Sequence, residues 1–257
     1  MNKKKETALV VSQKEIAPDV FDLWIATDMA QMALPGQFIA VFPKDASTLL
    51  PRPISICEAD KEKNRLRIVY RIAGKGTLEF SKYKEGDTIE ILGTIGNGFP
   101  LEAGEGKKVF LIGGGIGIPP MLQLAKELEA DQTILVGYRD NNTFLTEDLA
   151  LYGKVVIASE DGSVGTRGNV MNAIEAENLS AEVIFACGPM PMLRAIKAYA
   201  QKNNIKAYLS LEEKMACGVG ACLGCVCKTK DVDHHSHVNN ARICTDGPVF
   251  DADDVEI

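Results

Sequence analysis

The chain has 257 residues, 46% hydrophobic and 25% charged, with a net charge of −7; this length suits two compact domains and a small appendage. Its apolar runs are all broken by Gly, Pro or charge short of the roughly 20 residues that span a bilayer, and the basic start Met1-Asn2-Lys3-Lys4-Lys5-Glu6 has no signal-peptide core. A cytoplasmic chain without membrane association is therefore expected, and the acidic balance argues against general nucleic-acid binding.

Residues 1–102 read as all-β. Val20-Phe21-Asp22-Leu23-Trp24-Ile25 and Phe38-Ile39-Ala40-Val41-Phe42 are rich in β-branched and aromatic residues, and Leu66, Ile68 and Tyr70 alternate with Arg65, Arg67 and Val69. Pro35-Gly36 and Glu85-Gly86-Asp87 mark turns. Short strands at this spacing predict a small barrel. One short helix is expected over 77–83, after Gly74 and Gly76. Read alone, Arg52-Pro53-Ile54-Ser55 is a loop-to-strand transition and Gly74-Lys75-Gly76-Thr77 a turn. A helix start at Gly76-Thr77 also offers free N–H groups that suit an anion.

From 103 to 211 the grammar changes. Apolar segments at 109–112, 134–136, 155–158 and 183–186 alternate with helical stretches; Met121, Leu124, Ala125 and Leu128 mark one helix face, and Leu193, Ile196 and Ala200 another. Alternation of this kind predicts a parallel, doubly wound sheet. Leu101-Glu102-Ala103-Gly104-Glu105-Gly106 is the expected domain boundary. Gly113-Gly114-Gly115-Ile116-Gly117-Ile118-Pro119-Pro120 departs from G-x-G-x-x-G, yet its glycines let backbone approach a pyrophosphate and Pro119 presets a helical turn. Cys187-Gly188-Pro189 ends a predicted parallel strand; Cys187 is either a packing cysteine or part of a site at the strand's carboxyl end. Acidic residues in Gly137-Tyr138-Arg139-Asp140 and Ser159-Glu160-Asp161-Gly162 suit a ribose 2′-hydroxyl, whereas Arg139 favours a 2′-phosphate.

Residues 212–257 hold five of the seven cysteines and too little apolar surface to fold without a staple. Cys217, Cys222 and Cys225 follow C-x4-C-x2-C, with eighteen residues between Cys225 and Cys244. This resembles the plant-type ferredoxin spacing for a [2Fe–2S] cluster. Structural zinc, the competing reading, usually takes two short-spaced pairs. Cys227 is expected to turn away from Cys225 and stay out of the ligand set. Asp233-His234-His235-Ser236-His237 reads as a solvated loop with some capacity for metal.

Arg52-Pro53-Ile54-Ser55, Val69-Tyr70-Arg71 and Gly76-Thr77, followed by the glycine loop and by Cys187-Gly188-Pro189, resemble the ferredoxin–NADP reductase superfamily. The cysteine segment and Cys244-Thr245-Asp246-Gly247-Pro248-Val249-Phe250 narrow the resemblance to the electron-transfer subunits of B-type dihydroorotate dehydrogenases. The resemblance implies a multidomain β plus α/β chain: an FAD-binding barrel (1–102), an NAD-binding domain (103–211) and a [2Fe–2S] module (212–257). It places Arg52, Pro53, Ile54, Ser55, Val69, Tyr70, Arg71, Gly76 and Thr77 at FAD. It places Gly113, Gly114, Gly115, Gly117, Gly188 and Pro189 at NAD, with Cys187 beside the nicotinamide. An FMN-containing dihydroorotate dehydrogenase subunit is the implied partner, in a heterotetramer of two of each chain. Electrons from dihydroorotate would pass through the cluster and FAD to NAD⁺. A subunit of a related ferredoxin–NAD(P) or sulfide oxidoreductase, and a zinc-stapled nucleotide-binding module, are the competing readings.

Overall fold

The computed structural model describes residues 4–232 and 237–257. The histidine-bearing stretch is therefore outside the described residues except for His237. Six strands close the first unit: β1 (Lys4–Ala17), β2 (Val20–Ala26), β3 (Phe38–Phe42), β4 (Arg52–Asp60), β5 (Arg65–Arg71) and β6 (Thr88–Ile95). They form a barrel in the order β1-β2-β5-β4-β3-β6. Leu23, Ile25, Ile39, Ile56, Leu66, Ile68, Ile89 and Ile91 point inward and are fully buried. Period-two alternation drives this closure, because a strand with one apolar face must cover it.

The helix between β5 and β6, α1 (Lys75–Phe80), starts two residues earlier than the sequence suggests. The Thr77 hydroxyl accepts from the backbone N–H of Ala73 and Gly74 at 2.8 and 3.2 Å, which folds the turn ahead of it.

A turn at Leu101–Ala103 leads into the second unit. Its elements are β7 (Lys108–Gly114), α2 (Pro119–Glu127), β8 (Asp131–Tyr138), α3 (Thr146–Ala150), β9 (Lys154–Ser159), β10 (Thr166–Arg167), α4 (Val170–Ala176), β11 (Val183–Cys187), α5 (Met190–Asn203) and β12 (Lys206–Ser210). The cysteine-rich tail adds a hairpin of β13 (Val226–Lys228) and β14 (Asn240–Arg242), then β15 (Val249–Asp251). The large sheet runs β10-β9-β8-β7-β11-β12-β15. Chain order reverses direction between β7 and β11, which makes their carboxyl ends the switch point where ligands bind in such sheets.

The tail is not self-contained. Strand β15 joins the large sheet antiparallel to β12, with Leu209 opposite Phe250. Cys225, Ile243, Cys244, Ala252 and Val255 are buried in the same core as Leu193, Ile196 and Leu209 of the second unit. Sharing that core supplies the apolar burial that the segment lacks alone. Among the described residues no helix is long and apolar enough to cross a membrane.

Candidate functional site

The barrel ladder opens into a fork at β4. Ser55, Ile54, Pro53 and Arg52 pair with Phe38 to Val41 of β3, whereas pairing with β5 begins only at Ile56 opposite Ile68. Val69, Tyr70 and Arg71 thus have no partner in β4, and a gap is left between them and Arg52-Pro53-Ile54-Ser55. A groove of about 380 Å³ bordered by Thr48, Leu49, Arg52 and Lys75 runs on from it. The Arg52 guanidinium crosses Gly76 so closely that a Cβ there would lie 2.9 Å from Nε. Gly76 is thus what lets Arg52 reach the start of α1. Two cations and the free N–H groups of that turn form a cradle that fits a diphosphate. Lys75 belongs to it and was not singled out by sequence; its position beside Gly76 was the available signal. Tyr70 is buried between Phe21 and Phe80, and its hydroxyl donates to Gln13 at 2.7 Å. Only its backbone is left to meet a ligand.

The glycine loop and the Cys187 loop meet at the switch point. Cys187 lies in register with Gly113 on one side and Ser210 on the other. A Cβ on Gly117 would sit 2.4 Å from the Cys187 carbonyl oxygen, and one on Gly114 would be 2.6 Å from the Met192 sulfur. These glycines let the two loops touch. Gly115, at φ +53° with open space around its Cβ position, is the one that faces outward. The turn at Gly115–Gly117 lies against β5, beside the fork. Burial pushes the Cys187 thiol up to about 12 despite a hydrogen bond with Ser210, so it is a neutral group. Ser210 has no sequence signal of its own; only the sheet register brings it to Cys187. On the neighbouring loops, Asp140 is engaged by Asn142 and Asp161 by Ser163, while Glu160 and Arg139 are exposed.

The cysteine loop is closed by a turn at residues 242–247, where the Arg242 carbonyl accepts from Thr245, Asp246 and Gly247. Arg242 pairs with Asp246 at 3.0 Å and reaches the Gly220 carbonyl at 3.5 Å. Gly220 packs on Thr245, where a Cβ would fall 2.7 Å from the methyl carbon. Cys225 and Cys244 are buried and Cys222 is exposed. Backbone N–H groups of Val219 and Gly224 point at the sulfurs of Cys217 and Cys222, both at 3.4 Å. Burial opposes ionisation of Cys217, yet the Val219 N–H and the neighbouring Cys222 outweigh it and bring the thiol down to about 6.

Among the described residues no three His, Cys, Asp or Glu side chains converge as ligands of one ion. The thiols of the loop nevertheless lie near one another: Cys217 meets Cys222, and Cys244 meets Cys225 and is also influenced by Cys217. Burial pushes the Cys244 thiol up to about 12 on its own, so a metal would have to displace its proton. Four neighbouring sulfurs with N–H groups aimed at them fit a two-iron cluster.

Cys227 pairs with Ala241 in the β13–β14 hairpin, and burial pushes it up to about 11. Residues two apart on a strand share a face, so alternation does not separate it from Cys225. Rather, Cys225 sits ahead of the hairpin against Cys244, while Cys227 lines a cleft of about 220 Å³ with Met190 and Arg194.

The cysteine loop is fastened to the open end of the barrel. Asn97 N–H donates to the Gly247 carbonyl at 2.7 Å, and its side-chain amide donates to the Asp246 carbonyl at 3.0 Å. The ideal Cβ of Gly218 lies 3.4 Å from Ile95. Ile95 is paired with Phe38, and Phe38 with Ser55. Two strand spacings, about 10 Å, therefore separate the fork from the strand that the cysteine loop touches.

The iron–sulfur cluster binding domain of dihydroorotate dehydrogenase B matches residues 212–256. The dihydroorotate dehydrogenase B (NAD(+)) electron transfer subunit of Listeria monocytogenes is 43% identical over 253 residues, 96% of this chain and 97% of that protein. The subunit of the same name from Bacillus caldolyticus is 42% identical over 258 residues, covering 98% of each. Among solved structures, one from an NADH-dependent reduced ferredoxin-NADP oxidoreductase superposes with a TM-score of 0.86 at 27% identity, over 100% of this chain and 91% of that one. A ferredoxin NADP+ reductase from Neisseria gonorrhoeae with bound FAD and NADP shares the fold at a TM-score of 0.67 and 18% identity, over 77% of this chain and 91% of that one.

Proposed function

Given that the chain belongs to the electron transfer subunit family of NAD-dependent dihydroorotate dehydrogenase B, we propose that it carries electrons from a partner's FMN to NAD⁺ through a [2Fe–2S] cluster and FAD. The net reaction oxidises dihydroorotate to orotate while NAD⁺ takes two electrons and one proton to become NADH, and a second proton goes to solvent. A flavin supplies the exchange between single electrons and the two-electron chemistry of the nicotinamide.

One observation carries the reading. The fork, the glycine turn against β5 and the cysteine loop against Ile95 cluster at one end of the barrel. Arg52 and the Lys75-Gly76-Thr77 turn hold the FAD diphosphate, and Ser55 with the backbone of Val69-Tyr70-Arg71 borders its ring system. Gly115 faces the NAD pyrophosphate, supported by Gly113, Gly114, Gly117, Gly188 and Pro189. Cys187 lies next to the nicotinamide as a neutral thiol, fixed by Ser210. Cys217, Cys222, Cys225 and Cys244 ligate the cluster. Exposed Val219, Cys222 and Leu223 turn its loop outward, which suits docking of the FMN-containing subunit in a heterotetramer of two of each chain. Free thiols persist in a reducing compartment, in keeping with the cytoplasm.

A ferredoxin-linked reductase subunit is the second reading, favoured by the 0.86 superposition. Identity of 43% over nearly the whole chain outweighs 27% and supports the first. Co-purification from the native host tests it: an FMN-containing dihydroorotate dehydrogenase and dihydroorotate-dependent NAD⁺ reduction are expected. A different flavoprotein partner, with no turnover of dihydroorotate, would overturn the assignment.

A further inference from the structure

Away from the cofactor loops, part-exposed ion pairs and one buried amide bond join the barrel to the second unit. Arg67, in the middle of β5, is 7% exposed, and Asp22 of β2 is 1% exposed. Arg67 Nε and Nη2 donate to the two Asp22 carboxylate oxygens at 3.0 and 2.9 Å. Its Nη1 donates to Asp148 of α3 at 3.0 Å and reaches Glu58 of β4 at 3.4 Å. The other Glu58 oxygen accepts from Lys126 of α2 at 2.9 Å. One residue along β4, the Ala59 N–H donates to the side-chain oxygen of Gln123 in α2 at 2.7 Å, where Gln123 is 1% exposed.

Apolar packing alone would hold α2 against β4 but would tolerate sliding, because hydrophobic contact is not directional. The Arg67–Asp22 pair lies within the barrel and fixes the guanidinium that Asp148 meets. The buried Ala59–Gln123 bond crosses to α2 and accepts one register, since a slip there leaves a desolvated amide unpaired. The position of the joint gives this rigidity a use. Strand β4 begins with Arg52-Pro53-Ile54-Ser55, and α2 grows out of the glycine loop. Gln123 stands about 9 Å of helix from Gly117, and Glu58 about 10 Å of strand from Ser55. A tilt at the joint therefore moves the dinucleotide loop across the flavin fork.

We propose that Arg67, Asp148 and Gln123 are positioning residues that set how the nicotinamide approaches the flavin. The inference rests on the flavin and nicotinamide assignments above. The step it governs would transfer a hydride from nicotinamide C4 to the flavin, which would take its second hydrogen as a proton from solvent, so that NADH + FAD + H⁺ become NAD⁺ + FADH₂.

Gln123→Met removes the bond from Ala59 and one to Glu127, Asp148→Ala removes the bond from Arg67, and both leave the Arg67–Asp22 pair intact. In the holo complex, NADH is mixed rapidly with oxidised enzyme and the bleaching of flavin absorbance is followed. The saturating rate should fall about tenfold or more in each variant. The NADH concentration for half-maximal rate should stay within about twofold, and a larger deuterium isotope effect from C4-deuterated NADH should appear. FAD content should remain near wild type, and the melting temperature should hold in the Asp148 variant but fall by several degrees in Gln123→Met, which strands the buried Ala59 N–H. Lys154→Gln, which breaks an exposed pair with Glu177, should change nothing. Saturating rates within about twofold of wild type, or losses that merely track NADH affinity or FAD content, would overturn the proposal. Failure of the wild-type complex itself to bleach with NADH would instead overturn the functional reading beneath it.

Discussion

At the scale of single residues, the account turns on sulfur. Cys222 is the exposed member of the thiol set, so replacing it disturbs the core least. Cys222→Ser is expected to lose iron and sulfide while keeping FAD and NADH oxidation by artificial acceptors. Normal iron content in that variant would mean that the ligand set is wrong. Cys57 makes a separate prediction. Its side chain is fully buried, and desolvation raises its thiol well above the ordinary value of 9.0, with Arg67 opposing. An acid held protonated by the fold contributes stability that is complete below pH 9 and fades as pH rises further. Unfolding midpoints of the FAD-loaded protein should therefore drop more steeply above pH 9 than those of Cys57→Val. Parallel curves would contradict this.

At the scale of elements, the legible features were those with local chemistry. Alternation at Leu66, Ile68 and Tyr70 pointed to β5, and the spacing of Met121, Leu124 and Ala125 to α2. The C-x4-C-x2-C spacing of Cys217, Cys222 and Cys225 is legible in sequence as a candidate ligand loop. What escaped depends on partners distant in sequence. Nothing near Ser210 announces Cys187, nothing near Gln123 announces Ala59, and the fork exists only because β4 changes partner at Ile56. The glycine loop was legible in kind but not in detail. Gly117 spares a clash with the Cys187 carbonyl at 2.4 Å, whereas Gly115 alone faces open space. Gly117→Ala should therefore push the two loops apart and destabilise the chain by about 1–3 kcal/mol, seen as a lower unfolding midpoint together with weaker NADH binding. An unchanged midpoint would contradict that packing.

For the molecule as a whole, the arrangement reads as a short conduit. The cysteine loop is turned outward at Val219 and Leu223 and anchored inward through Asn97. The fork lies two strands away, and the glycine turn at Gly115–Gly117 rests on β5. Asn97→Ala removes two side-chain bonds to that anchor, so cluster retention should weaken while FAD binding persists; full iron content after prolonged purification would contradict it. The most direct test of the conduit is NADH formation from dihydroorotate by the intact complex, compared with the complex carrying Cys222→Ser. The wild-type complex is predicted to form NADH and the cluster-free one to lose that activity while still oxidising NADH with artificial acceptors. Undiminished NADH formation in an iron-free complex would contradict the account.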